Sequence, residues 1–249
     1  MLAAIRIIKN IPDTIDDFLD IIETLIEEKS HSVLMATLTL ICQICHQDQS
    51  YIASFKKYTP FLIKALKNLL HGGYAPEYDI SNHKDPFLQV RFLQVLRILG
   101  AKDSQASDEM NDILAQIATN TEGGRNTGNQ ILYECTRTIM GIESNQGLRG
   151  LGVQILSKFI GSRENNFKFI GLKTLQQVVD IDYNAVQKHK ATITECLKDH
   201  DMVIKLKALD LLNQICNTTN VKSIVKELIN FLLTAEGEFK EELANKVYI

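Results

Sequence analysis

The chain reads as an all-α superhelix, a solenoid of stacked helical hairpins, on three observations. Three short stretches superimpose in register: Leu148-Arg149-Gly150-Leu151-Gly152-Val153, Phe167-Lys168-Phe169-Ile170-Gly171-Leu172 and Ile204-Lys205-Leu206-Lys207-Ala208-Leu209. Each sets a cation three residues ahead of a small residue (Gly152, Gly171, Ala208) among helix-spaced aliphatics. The first pair lies about one helix and a turn apart and the second pair about twice that, which is the spacing of a helical-hairpin array. Only four prolines and 13 glycines occur, mostly between the apolar runs, as in a chain dominated by helices. The length of 249 residues, 45% of them apolar, exceeds what one core comfortably reaches, and an array escapes that limit by repeating a small core. Such an array offers a partner a long surface instead of offering a substrate a pocket.

The elements follow in order. Leu2, Ala3, Ile5, Ile7 and Ile8 form an apolar helix fragment without a cap. Pro12 and Asp13 open a helix whose Ile15, Phe18, Leu19, Ile22 and Ile26 keep one face apolar, with Ile21 and Leu25 widening it. A helix from about Ser32 to His46 is apolar nearly all round. The next, from Asp48, is interrupted around Tyr58-Thr59-Pro60, where proline removes a donor, and ends at Gly72-Gly73. After an irregular stretch to Lys84, Asp85-Pro86 supplies an N-cap acceptor and a first-turn proline, and the helix from Phe87 to Leu99 reads as the most buried of the chain. Further helices span about 107 to 120, 127 to 141, 145 to 161, 164 to 181, 183 to 198, 200 to 217 and 220 to 234, with a last one from about Phe239. Both termini, including Val247-Tyr248-Ile249, lack the polar cap of a free-standing array, so residues 1–249 read as a single solenoid segment of a longer one.

Strings that imitate active sites carry no chemistry in this context. Cys42-Gln43-Ile44-Cys45-His46 matches a haem-attachment pattern, yet both thiols fall on the apolar face of a helix, and the five scattered cysteines read as buried free thiols. Gly123 to Gly128 offers Gly-x4-Gly, but Asn129-Gln130 stand where a phosphate loop needs Lys and Ser/Thr. Gly147, Gly150 and Gly152 lack dinucleotide-binding spacing and read as points of close helix approach. The six histidines include no pair at metal-ligand spacing, and no Ser, His and acid grouping stands out. No catalytic, cofactor-binding or metal residue is therefore assigned, and the chain reads as no enzyme. The net charge of -3 gives no nucleic-acid footprint, and Lys56-Lys57 and Lys188/Lys190 read as solvated faces. No run spans a bilayer and no export signal opens the chain, so the default compartment is the cytosol and the sequon at Asn217 stays unused.

Longer passages carry a resemblance. Gly72-Gly73-Tyr74-Ala75-Pro76-Glu77-Tyr78-Asp79 through Asp85-Pro86-Phe87-Leu88-Gln89-Val90-Arg91 to Leu96-Arg97-Ile98-Leu99-Gly100 resembles the trunk of the adaptin large chains, in particular their gamma class. So do Asn111 to Glu122, Gly128 to Glu134 and Asn184 to Lys190, in unbroken order over nearly the whole chain. The resemblance implies the middle of a HEAT/armadillo-type trunk. In that family the trunk belongs to a heterotetrameric clathrin adaptor of the trans-Golgi network and endosomes and cradles its small (sigma) and medium (mu) subunits beside a beta-type large chain. An Arf-family GTPase and a membrane phosphoinositide recruit that assembly, which links cargo to clathrin. The family's membrane, GTPase and signal contacts lie mostly outside this segment, so none is carried over, and Asp85, Pro86 and Arg91 read as fold anchors instead of sites. The rivals are other adaptin or coatomer large chains and nuclear transport receptors, which share the periodicity but not the 72-to-100 and 111-to-140 passages.

Overall fold

The computed structural model describes residues 1–72 and 75–248. Gly73, Tyr74 and Ile249 lie outside the described residues, and with them part of the expected helix end at Gly72-Gly73, one step of the family-like passage and the last residue of the apolar C-terminal tripeptide. The chain divides into two compact units, Met1–Leu148 and Arg149–Ile249. Both are built from α-helices and short 3-10 turns; among the described residues the only extended pairing is an isolated bridge between Ile80 and His83.

In the first unit, α1 (Leu2–Asn10) and α2 (Leu19–Leu25) pack on α3 (His31–Gln47). After the short α4 (Ile52–Phe55) come α5 (Thr59–His71), α6 (Pro86–Gly100), α7 (Ser104–Asn120) and α8 (Asn126–Gly141). Helices that alternate in the chain lie side by side: α1, α3, α6 and α8 make one row, with α5 and α7 packed together behind α6. Phe92, Leu93, Val95, Leu96 and Leu99 of α6 are buried between these rows, as the aliphatic run demanded. Burying a side chain of this size contributes roughly 1.5–3 kcal/mol, and single helices of this length are marginal in water, so the stacking supplies the order.

α9 (Gln146–Ile160) crosses the boundary between the units. In the second unit, α10 (Asn165–Val178), α13 (Met202–Gln214) and α15 (Gly237–Tyr248) make a row, with α11 (Tyr183–Gln187), α12 (Lys190–Glu195) and α14 (Val221–Thr234) joining it. The repeated small residue has a clear role at Gly171, where a Cβ would meet Ile160 Cγ1 at 3.1 Å and the Leu156 carbonyl at 3.2 Å. α10 thus lies so close to α9 that a side chain at Gly171 would make its neighbours give by a few tenths of an ångström, and Ala208, its counterpart on α13, is fully buried.

Several elements differ from their sequence reading. The helix expected from Pro12 begins as two 3-10 turns (Pro12–Thr14, Asp16–Phe18) and becomes α-helical only at Leu19. Residues 183–198 break at His189 into two short helices and a 3-10 turn. α7 starts at Ser104, earlier than expected, because Asp103 caps it. Close approach does not explain Gly150, whose absent Cβ faces open space; it operates instead at Gly100, where a Cβ would stand 2.9 Å from Met110 Cε, and at Gly141 and Gly128.

Candidate functional site, an ordered interaction surface

Three of the aspartates that open helices divide their two oxygens between two tasks. Asp85 Oδ1 accepts the Leu88 amide at 3.0 Å, capping α6, while Oδ2 meets His31 Nδ1, on the first residue of α3, at 2.8 Å. Asp103 caps α7 through the Ala106 amide at 3.0 Å and takes Lys56 Nζ on its other oxygen at 2.8 Å. Asp201 caps α13 through the Val203 amide at 2.9 Å and accepts Asn165 Nδ2, on the first residue of α10, at 3.2 Å. A cap satisfies an amide that the helix leaves unpaired. Its second oxygen ties that helix end to an element about 35 to 55 residues earlier, setting the axial register of neighbours. The Lys56 and Ala106 hydrogen bonds hold the Asp103 carboxyl below the usual carboxylate range.

The repeated cations also reach forward. Lys168 on α10 pairs with Asp199 in the turn before α13, and Lys205 on α13 sits over the Phe239 ring of α15 at 5.2 Å. Of the lysines read as solvated faces, Lys56, Lys57 and Lys190 pair with Asp103, Glu23 and Glu227, and the Lys57 pair stays more than half exposed.

Between α6 and α8 lies the most buried charge of the described chain. Glu134, 2% exposed at its side chain, pairs with Arg97, and its second oxygen lies 3.4 Å from Gln94 Nε2 and 3.5 Å from Arg137 Nη1. The stem of Arg97 crosses Gly141, where a Cβ would stand 2.8 Å from Arg97 Cγ, so glycine there lets the guanidinium reach its carboxylate. Arg91, one turn before Gln94, lies against the Cys42 thiol of α3. The family-like residue Phe87 stands out: its helix is largely buried, yet the residue is 66% exposed.

All five cysteines are free. Burial pushes the Cys45 thiol up to about 12 and that of Cys196 to about 11, far from the thiolate that haem, metal or nucleophilic chemistry needs. The sequon amide of Asn217 is spent inside the fold, donating to Tyr183 Oη at 2.7 Å. A cavity of 660 Å³ opens between the turn that follows α2 and helices α3, α5 and α6, over Leu34, Leu69 and Leu88, with Glu27, Glu28, Lys29 and Lys64 on its rim. Among the described residues no cluster of three His, Cys, Asp or Glu is placed to hold a metal, and no helix is long and apolar enough to cross a membrane.

Rows of stacked helices, with several helix ends tied to neighbouring elements by capping aspartates, define an all-α helical-repeat fold of the α-α superhelix class. Along residues 1–249 the sequence matches the family described as Adaptin N terminal region, and the chain belongs to that family. It is 48% identical to the AP-1 complex subunit gamma of Dictyostelium discoideum over 248 residues, which cover 100% of this chain and 28% of the relative. Identity is 45% over 247 residues to the AP-1 complex subunit gamma-2 of Arabidopsis thaliana (99% of this chain, 29% of the relative). It is 37% over 249 residues to the AP-1 complex subunit gamma-like 2 of Homo sapiens (100% and 32%). The chain thus spans about a third or less of the length of these curated relatives.

Proposed function

We propose that this chain is a scaffold segment of a gamma-type clathrin adaptor large subunit, an interior stretch of its trunk in which the two units are consecutive parts of one solenoid. Its work is to hold the small (sigma) and medium (mu) subunits and a beta-type large chain in a heterotetramer for vesicle-mediated protein transport. On this reading the protein is cytoplasmic and peripheral on trans-Golgi and endosomal membranes, and meets clathrin, an Arf-family GTPase and phosphoinositide through the intact complex. It performs no catalysis itself and needs no cofactor.

The observation that carries the reading is similarity across the full chain to relatives named AP-1 complex subunit gamma, at up to 48% identity among those compared. The physical support is the cap-and-clamp series at Asp85, Asp103 and Asp201, since a scaffold places partners only as accurately as its own helices hold register. The test is co-expression of the protein with sigma, mu and beta-type subunits, followed by size-exclusion chromatography. A stoichiometric complex is expected. Recovery of the protein alone, or with nuclear transport cargo in place of adaptor subunits, would overturn the proposal.

A further inference from the structure

We propose that the exposed face shared by α3, α6 and α8 docks an acidic protein surface, its arginines meeting carboxylates around an apolar contact. The inference rests on the scaffold reading and deepens it by naming a surface and the chemistry of its partner.

Charge is segregated within the first unit. Across α3, α6 and α8 the charged side chains other than histidine are Arg91, Arg97, Arg137 and Glu134, and the single carboxylate is buried beneath the arginines. α7, in the row behind, carries Asp108, Glu109 and Asp112 with no cation. In a chain of net charge -3, three adjacent helices whose charges outside histidine are three at least partly exposed arginines and one buried glutamate are an exception that core packing does not require.

The arginines are held ready. Phe87, Val90, Arg91 and Arg97 fall on the one side of α6 that its neighbours leave uncovered, at helical spacing. Glu134 orients Arg97 and Arg137 but occupies only part of their donor sets, and Arg137 lies 5.6 Å from the centre of the Tyr133 ring. A guanidinium keeps five donors in a planar fork suited to carboxylates. Orienting it beforehand removes entropy that binding would otherwise lose. Beside them Phe87, 66% exposed, occupies a first-turn position where helix formation does not ask for an aromatic ring. Arginine, tyrosine and phenylalanine, with the one nearby carboxylate of these helices buried, are residue types enriched at interface centres.

The mixture favours a protein over a nucleic acid. Phosphate backbones are bound by many cations, typically with lysine among them, and these three helices contain no lysine.

The test uses the full chain co-expressed with sigma, mu and beta-type subunits, comparing wild type with Phe87→Asp, Arg137→Gln and Arg137→Lys, and with Lys222→Gln on the second unit as control. Aspartate suits the first turn of a helix, so Phe87→Asp keeps the fold while placing a repelling charge on the face. At unchanged thermal midpoint, Phe87→Asp and Arg137→Gln are expected to weaken assembly about tenfold or more, Arg137→Lys to lose less, and Lys222→Gln to assemble as wild type does. A fluorescent single-stranded DNA serves as polyanion probe and is expected not to bind. Wild-type assembly with equal affinity in all variants overturns this inference alone. DNA binding abolished by Arg137→Gln overturns it in favour of a polyanion site. Failure of the wild type to assemble overturns the scaffold reading and this inference with it.

Discussion

Replacing Glu134 by alanine tests whether the row α3–α6–α8 is organised around a buried charge. The side chain is 2% exposed and Arg97, its main partner, 21% exposed. Removing one member of a buried pair costs about 3–5 kcal/mol because the other charge is left uncompensated. Arg97 retains some access to water, which lowers the expected loss to about 2–3 kcal/mol. With a urea dependence of about 2 kcal/mol/M, the midpoint falls by roughly 1 M or slightly more. Pairing Glu134→Leu with Arg97→Met removes both charges at similar volume and is expected to recover most of that loss, since apolar replacements of whole buried pairs are often neutral or better. Equilibrium urea unfolding followed by circular dichroism measures the loss, and hydrogen exchange at α6 and α8 amides locates it. The reasoning fails if Glu134→Ala shifts the midpoint by less than a quarter of the expected amount, or if the double replacement is no more stable than the single.

The other predictions concern register, close packing, pH and thiols. Asp103→Asn keeps the cap and loses the charge facing Lys56, so its thermal midpoint is expected to fall slightly, whereas Asp103→Ala loses the cap as well and is expected to fall further. Gly171→Val drives a branched side chain into Ile160 and the Leu156 backbone, and a loss of about 2 kcal/mol or more is expected in the same assay. Partial burial pushes the Asp199 carboxyl up, but the Lys168 and Asp201-amide hydrogen bonds outweigh it and leave it lowered. A lowered carboxylate stabilises above its unfolded value near ~3.9 and loses that contribution as pH falls through the folded value, so stability should drop below about pH 4 less steeply in Asp199→Asn than in wild type. Ellman's reagent at pH 8 should modify half-buried Cys216 first, with Cys42, Cys45, Cys135 and Cys196 reacting only as the chain unfolds.

Element existence was legible because periodicity records which face is buried. Asp85-Pro86 announced α6, and the stripe Ile204, Ala208, Leu211, Leu212 and Ile215 announced α13; all five of those residues are buried. Local breaks were less legible. Ile15 and Ile22 are buried at helix-compatible spacing whether the backbone between them is α or 3-10, so the broken start of the Pro12 segment left no trace in the pattern. The exposure of Phe87 was equally hidden, since an apolar first-turn residue looks the same facing a neighbour or water. The clamps escaped because a cap is local in sequence whereas the partner of its second oxygen, His31 for Asp85, lies 54 residues away. The repeated Lys168 and Lys205 were visible as a periodic signal, but their forward contacts with Asp199 and Phe239 needed coordinates.

Hydrogen exchange of the full chain, free and bound to its sigma, mu and beta-type partners, tests the scaffold account most directly. The account predicts that buried amides of α6 and α13 are already slow to exchange in the free chain and change little on binding, while new protection appears along exposed helix faces. Fast exchange throughout α6 and α13 until a partner is added, or protection confined to the cavity lined by α3, α5 and α6, would contradict it.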